Sequence, residues 1–268
     1  TTNYILSKMS KEHMDFKTAL AEAKEKGYAE ADPVSDIDGY DPVYKLAIIA
    51  SLSFGAKITV DNIYREGITK ISPLDIEYAC KFGYTIKLLA IGKVCPDGIE
   101  LRVHPTMIPK THPLSNVSNS FNAIYIKGNA VGELMLYGKG AGDLPTGSAV
   151  VSDIISILRN NGSQYICTSL KNHMPHKKIK PFEENISQYY IRLSVVDMPG
   201  VLGKISTILG RNNVSIFTVT QEIKSKHDVS LIFITHEAKE GDMQRSIEHI
   251  KKLICINKVE SIIRIENF

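Results

Sequence analysis

Apolar positions along the first half of the chain recur at two different intervals, and the change of interval marks its elements. Residues 15–26 are strong helix formers with apolar side chains three and four apart, and Gly27 is a natural stop. A loop rich in acids, proline and glycine follows over residues 28–39. Residues 41–53 form a largely apolar helix with Pro42 in its first turn, where a missing N–H costs little. Ser72 and Pro73 open a further short helix, a cap followed by a proline. From Tyr84 the period shortens to that of strands. Residues 84–94 and 99–108 pair around Pro96-Asp97-Gly98, and residues 120–127 and 131–137 around Gly128-Asn129. A helix from about 148 to 159 closes this half. The pattern predicts an α+β domain over residues 1–159 with a mixed, antiparallel-rich sheet.

Residues 160–187 are polar and carry Pro175 and Pro181, which reads as a linker. The basic run His176-Lys177-Lys178-Ile179-Lys180 within it reads as a solvated face. Residues 188–268 form a second unit. A strand at 189–196 leads to a helix at 200–211, then strands at 214–222 and 227–236 split by a charged turn at 224–226. A helix at 240–253 and a strand at 258–265 complete the order βαββαβ, that of a ferredoxin-like unit.

The 268 residues are 43% hydrophobic and 23% charged, values of a soluble globular protein. A net charge of +3 spread along the chain offers no electrostatic footprint for nucleic acid. No apolar stretch reaches membrane length, and no secretory leader precedes the first elements, so a cytoplasmic protein without membrane contact is expected. Cys80, Cys95, Cys167 and Cys255 lack paired spacing and read as reduced cysteines. His173 and His176 are close but sit in a polar, proline-bounded segment, and no metal site is expected. The chain opens on Thr1 and runs at once into a helix-like pattern, which reads as the middle of an element and hence as a fragment.

The most unusual stretch runs from Gly27 to Lys45: five acids in a loop punctuated by Pro33 and Gly39, then a lysine one turn beyond Asp41. Residues four apart on a helix share a face, so Asp41 and Lys45 point the same way. Lys45 then enters the apolar run Leu46-Ala47-Ile48-Ile49-Ala50, and a lysine at the edge of a buried face can be desolvated into a proton donor or acceptor. Spacing alone leaves other readings open: a solvated surface ion pair, a capping turn, or an oxygen-rich cation site, though calcium-loop spacing fails. Unaided, the residues define a polar pocket with one lysine and several carboxylates.

The string GYAEADPVSDIDGYDPVYKLAI resembles the signature of homoserine dehydrogenases, a GY-x-E-x-DP-x-x-D-x-x-G-x-D loop with a lysine four residues on. TTNYIL resembles the segment just before it, and the run from Gly138 to Asp153 resembles that family's glycine-rich return to a nucleotide-binding domain. The resemblance implies that Lys45 is the general acid/base for aspartate semialdehyde and homoserine, and that Asp41 orients it. It implies that Glu30 and Asp36 bind the substrate ammonium, with Tyr28 and Thr1 lining the pocket. The implied cofactor is NADP or NAD. No strand–GxGxxG–helix unit occurs here, and position 143 is Asp where a third fingerprint glycine belongs. The implied dinucleotide therefore rests mainly on a domain that precedes this chain, with Gly140 touching its nicotinamide end. A plain strand–helix connection stays open for that loop.

Asp197-Met198-Pro199-Gly200-Val201-Leu202-Gly203-Lys204-Ile205 lies between the first strand and helix of the βαββαβ unit and resembles the ACT domain, an amino-acid-sensing module. Asn213-Val214-Ser215-Ile216 resembles its next turn. Asp197, Gly200, Val201, Leu202 and Asn213 are thereby implied to hold an amino-acid effector, threonine being the family's expectation. The free N–H groups of the helix start suit a ligand carboxylate. A homodimer or homotetramer is implied as well. Two other classes fit the same residues: a non-catalytic amino-acid-binding sensor, and an oligomerisation fragment.

Overall fold

A computed structural model describes residues 1–159, 177–225 and 228–268. Cys167, His173, His176, Lys226 and most of the expected linker lie outside the described residues.

Helices Thr2–Glu12 (α1) and Phe16–Glu25 (α2) pack on one another, the second capped by the Asp15 carboxylate, which accepts from the Thr18 amide at 3.0 Å. The acidic loop contains a single helical turn, Val34–Ile37 (α3), before Tyr40–Phe54 (α4). Gly39 opens α4 at φ 82°, a left-handed conformation that suits glycine. A two-residue strand, Tyr64–Arg65 (β1), precedes Pro73–Lys81 (α5). Ser72 and Asp75 form a reciprocal cap on α5: the Asp75 amide donates to Ser72 Oγ at 3.3 Å, and the Ser72 amide to the Asp75 carboxylate at 3.0 Å. Tyr84–Cys95 (β2) and Gly98–Pro109 (β3) pair antiparallel along their whole length.

Phe121–Gly128 (β4) and Gly132–Lys139 (β5) form a separate two-stranded sheet. The following helix, Asp143–Arg159 (α6), starts five residues before the predicted 148. Pro145 falls within the first turn, where a proline removes no intrahelical bond. Except for the half-buried Pro145, the side chains of α6 are exposed, Val150, Ile154, Ile157 and Leu158 among them.

The second unit comprises Ile186–Val195 (β6), Val201–Arg211 (α7), Ile216–Ser225 (β7), Asp228–Thr235 (β8), Ala238–Lys239 (β9), Glu240–Lys251 (α8) and Ile256–Ile265 (β10). Strands β10, β6, β8 and β7 lie side by side, all antiparallel. One face of that sheet buries Tyr189, Leu193 and Phe233 against Ile205 and Leu209 of α7 and Met243 and Ile250 of α8.

The other face is covered by the first unit. Tyr190, Ile232, Ile234 and Ile263 share a core with Tyr4 and Ile5 of α1, Ile76 of α5 and Ile86 of β2. β10 also pairs parallel with β3, through Arg264↔Thr106 and Ile265↔Met107, so one eight-stranded sheet crosses both units in the order β1-β3-β10-β6-β8-β7, with β2 on β3 and β9 on β6 beside that path. The architecture is the α+β, antiparallel-rich one the pattern predicts, with its ferredoxin-like half packed against the rest.

In the described part of the basic run Lys177 and Lys178 are exposed, as a solvated face requires, but Ile179 and Lys180 are not. Ile179 bridges Ile99, and the Lys180 amide donates to the Ile99 carbonyl at 2.9 Å. Lys180 Nζ pairs with Glu100 at 3.1 Å and Asp97 at 3.4 Å, with its side chain only 10% exposed. Carboxylates at the β2–β3 turn, far away in sequence, compensate the charge of Lys180. Gly98 there has φ 149°, and a Cβ on it would lie 2.8 Å from the Lys178 carbonyl oxygen, so only glycine lets the segment close. No helix among the described residues is long and apolar enough to cross a membrane.

Candidate active site and effector turn

The sequence-predicted site residues converge at the start of α4. Lys45 Nζ lies 2.7 Å from Asp41 Oδ2, one turn apart on the helix as their spacing requires. The neighbouring loop folds back so that Thr1 Oγ1 is within hydrogen-bond reach of the Tyr28 carbonyl and of Asp36 Oδ2, the latter at 2.5 Å. Burial lowers the pKa of the Thr1 amino group, and the charges of Asp36, Lys45 and Asp41 also reach it, so the Thr1–Asp36 and Asp41–Lys45 pairs are neighbours. Glu30 is exposed in the loop and makes none of these contacts.

Burial does not desolvate Lys45. Its side chain is 66% exposed and that of Asp41 40%, because the helix turns Leu46, Ala47 and Ala50 inward and leaves position 45 on the opposite side. The pair therefore has the geometry of a surface ion pair, with a carboxylate that fixes where the ammonium points.

Residues not singled out in the sequence hold the loop. Arg65 donates to the Asp38 carbonyl, and its guanidinium stacks 3.6 Å from the centre of the Tyr40 ring. The Ile68 amide donates to the Ile37 carbonyl at 2.8 Å. Gly67 lies so close that a Cβ would sit 2.3 Å from the Ile37 oxygen and 2.5 Å from the Asp38 Cα. Glu66 pairs with Arg264 of β10 at 2.9 Å, and Arg264 is gripped by both Glu240 oxygens at 2.7 Å. Only the isolated Gly67 hinted at this support, as a place of close backbone approach.

Gly140 lies in the turn between β5 and α6. A Cβ there would fall 1.8 Å from the side-chain amide nitrogen of Asn122, so a larger residue would push that exposed side chain aside. Three free cysteines are described, Cys80, Cys95 and Cys255, and no group of His, Cys, Asp and Glu among the described residues could hold a metal ion.

In the second unit, Asp197, Gly200, Val201 and Leu202 line a cavity of about 190 Å³ completed by Gln221 and Leu231, among others. Gly200 begins α7 at φ 84° with no side chain capping the first turn, which leaves the helix N–H groups facing the turn. Asn213 is not in that lining. It ends α7 in a left-handed conformation, φ 60°, its amide donating to the Gly210 carbonyl at 3.1 Å. An 11-residue helix is roughly 16 Å long, so Asn213 cannot serve the same pocket within one chain.

Both units match known protein families. The homoserine dehydrogenase family profile matches residues 1–155 and the ACT domain profile residues 189–255. The homoserine dehydrogenase of Helicobacter pylori is 44% identical over 268 residues, all of this chain and 63% of its own length. That of Corynebacterium glutamicum is 41% identical over 273 residues, covering 99% of this chain and 60% of its own. Among solved structures, a homoserine dehydrogenase from Thiobacillus denitrificans superposes with a TM-score of 0.88 at 37% identity, over 99% of this chain and 62% of that one. The S. aureus homoserine dehydrogenase at pH 7.5 gives 0.73 at 33% identity, over 100% and 63%. The chain thus spans about three-fifths of the length of the curated relatives it matches. With more than half of its residues inside the family profile, the chain belongs to the homoserine dehydrogenase family.

Proposed function

We propose that this chain is the substrate-binding and effector-binding part of an NAD(P)-dependent homoserine dehydrogenase, which interconverts L-homoserine and L-aspartate 4-semialdehyde. The observation that carries the reading is the convergence of Thr1, Asp36, Asp41 and Lys45 at one helix start, the residues the family signature selects. On this reading residues 1–159 are the catalytic unit, 160–187 the connection and 188–268 the regulatory unit, in a cytoplasmic homo-oligomer.

Lys45 Nζ gives its proton to the aldehyde oxygen as the carbonyl carbon is reduced, and takes it from the hydroxyl when homoserine is oxidised. Its positive charge also stabilises the alkoxide-like oxygen as charge develops there. Asp41, 2.7 Å away, keeps the ammonium aimed. Asp36 and Glu30 neutralise the substrate ammonium, while Thr1 and Tyr28 shape the wall beside Asp36. The nicotinamide cofactor supplies and removes the hydride. This chain would meet it only at the exposed turn around Gly140, where the backbone carries no side chain, and its sequence holds no fingerprint for the dinucleotide itself.

In the longer protein that carries this chain, Lys45→Ala should lower kcat by about two to four orders of magnitude, the usual share of general acid–base catalysis. Homoserine binding should weaken far less. Equal turnover by variant and wild type sinks the assignment.

The effector reading rests on the cavity at the α7 start: free N–H groups for a carboxylate and Asp197 for an ammonium. Threonine is the leading ligand, with Asn213 contributed by a second copy. Calorimetric titration of the oligomer with threonine, methionine, isoleucine and lysine is the test. An absence of binding at millimolar concentration returns the unit to a purely structural role.

A further inference from the structure

A second cavity, of about 240 Å³, opens between α1, β2 and the segment after β3. It shares no lining residue with the Lys45 site or the effector turn. Its walls carry three lysines, Lys11, Lys87 and Lys110, and the hydroxyls of Ser7, Ser10 and Ser118. Three lysines line one cavity, and no carboxylate among the described residues forms an ion pair with any of them.

Lys87 is the unusual member. It sits in a strand, only 7% exposed, where a buried ammonium ordinarily has a carboxylate beside it. Its partners are neutral: Asn3 Oδ1 at 2.9 Å and the Val117 carbonyl. An ammonium has three N–H bonds, so one is left over. Burial, and then the charge of Lys11, push its pKa down to about 8. A negative charge in the cavity would relieve both. Ser7 Oγ accepts from the Asn119 amide at 3.2 Å, which leaves its own hydrogen free to donate. Lys110 is anchored at the rim by the Cys80 carbonyl at 3.1 Å.

We propose that this cavity binds a small multivalent oxyanion, inorganic phosphate or a phosphate monoester, held by Lys87, Lys11, Lys110 and the Ser7 hydroxyl. A carboxylate brings one charge and two oxygens, too few to satisfy three ammonium groups and a hydroxyl. A tetrahedral dianion has the charge and the oxygen count.

The test is calorimetric titration of the 268-residue chain with inorganic phosphate, sulfate, glycerol 3-phosphate and acetate at fixed ionic strength. Saturable one-to-one binding of phosphate and sulfate, and none of acetate, is expected. Lys87→Met, which exchanges a buried charge for an apolar side chain of similar volume, should weaken binding by about tenfold or more through loss of a charge-assisted hydrogen bond. Lys11→Ala should weaken it too, and because Lys11 is exposed this variant carries the test if Lys87→Met does not fold. Tighter binding of glycerol 3-phosphate than of phosphate identifies a monoester, and equal binding a free anion. No saturable phosphate binding at millimolar concentration, or affinity unchanged in the folded variants, overturns the proposal.

Discussion

Asp75 should prove far more important than a helix cap. Its carboxylate is fully buried and accepts from Arg192 Nε at 2.7 Å, Arg192 Nη2 at 3.2 Å and the Tyr190 hydroxyl at 3.1 Å, besides the Ser72 amide and hydroxyl. Asp75→Ala leaves Arg192, itself 4% exposed, with the Ser72 hydroxyl as its remaining partner. Stranding one member of a buried ion pair costs about 3–5 kcal/mol, and the lost cap adds about 1 kcal/mol. The sum, about 4–6 kcal/mol, is a large share of the about 5–15 kcal/mol that holds a typical protein folded. Urea unfolding followed by far-UV circular dichroism and by tyrosine fluorescence reads the loss as a lower midpoint at unchanged slope. The chain has 12 tyrosines and no tryptophan, so the second probe samples both units. The double variant Asp75→Leu/Arg192→Met should recover most of the stability, since apolar groups of similar volume replace a buried pair at little cost. A loss below about 1 kcal/mol for Asp75→Ala, or an unmoved second transition for the βαββαβ unit, would refute a shared core at this joint.

Gly67→Ala should force the loop at Ile37 and Asp38 to move, at a cost of about 1–3 kcal/mol; thermal melting measures it, and in the longer protein a raised KM for homoserine should accompany it. Lys87 gives a pH dependence with a definite sign. Its pKa falls from 10.5 to about 8 on folding, so the unfolded chain holds this proton where the folded chain has lost it, and stability rises with pH across that window. The gain is roughly 3 kcal/mol, read as the wild-type minus Lys87→Met difference in phosphate-free buffer. A flat difference from pH 8 to 10.5 contradicts the assigned burial.

The long elements were legible because their periodicity carries the information locally. The β2–β3 hairpin, α4 and the βαββαβ order all follow from spacing that neighbouring residues enforce. The loop of the proposed active site was legible only through its resemblance to a family, since an acid–lysine pair at this interval is ordinary on any helix. What stayed hidden was everything decided by a distant partner. Lys180 reads as a solvated lysine until Asp97 and Glu100 are placed beside it. Asp75 reads as a cap until Arg192 arrives 117 positions later. Even α3 and β1 are too short for a pattern, and they exist because the segment at Arg65–Ile68 ties the loop down from outside.

The joint also changes how the two sites can influence one another. A polar linker between independent units would let the effector unit tilt freely, and a ligand could act by selecting one tilt. The structure instead fixes the unit by a common core, a parallel strand pair and the Asp75–Arg192 bonds. Free tilting is then expensive, because it strands buried charges on both sides. The remaining low-cost coordinate is local. Arg264 of β10 holds Glu66, and the residues on either side of Glu66 hold the loop that carries Asp36 and leads into Asp41. A ligand at the α7 start can alter the Lys45 site only if it binds two arrangements of this sheet unequally. The place to look for the second arrangement is therefore the β10–β1 contact and not the chain between the units. Spatial continuity of this kind is a route and not yet a coupling energy. It does name the ion pair, Arg264–Glu66, whose removal tests that route.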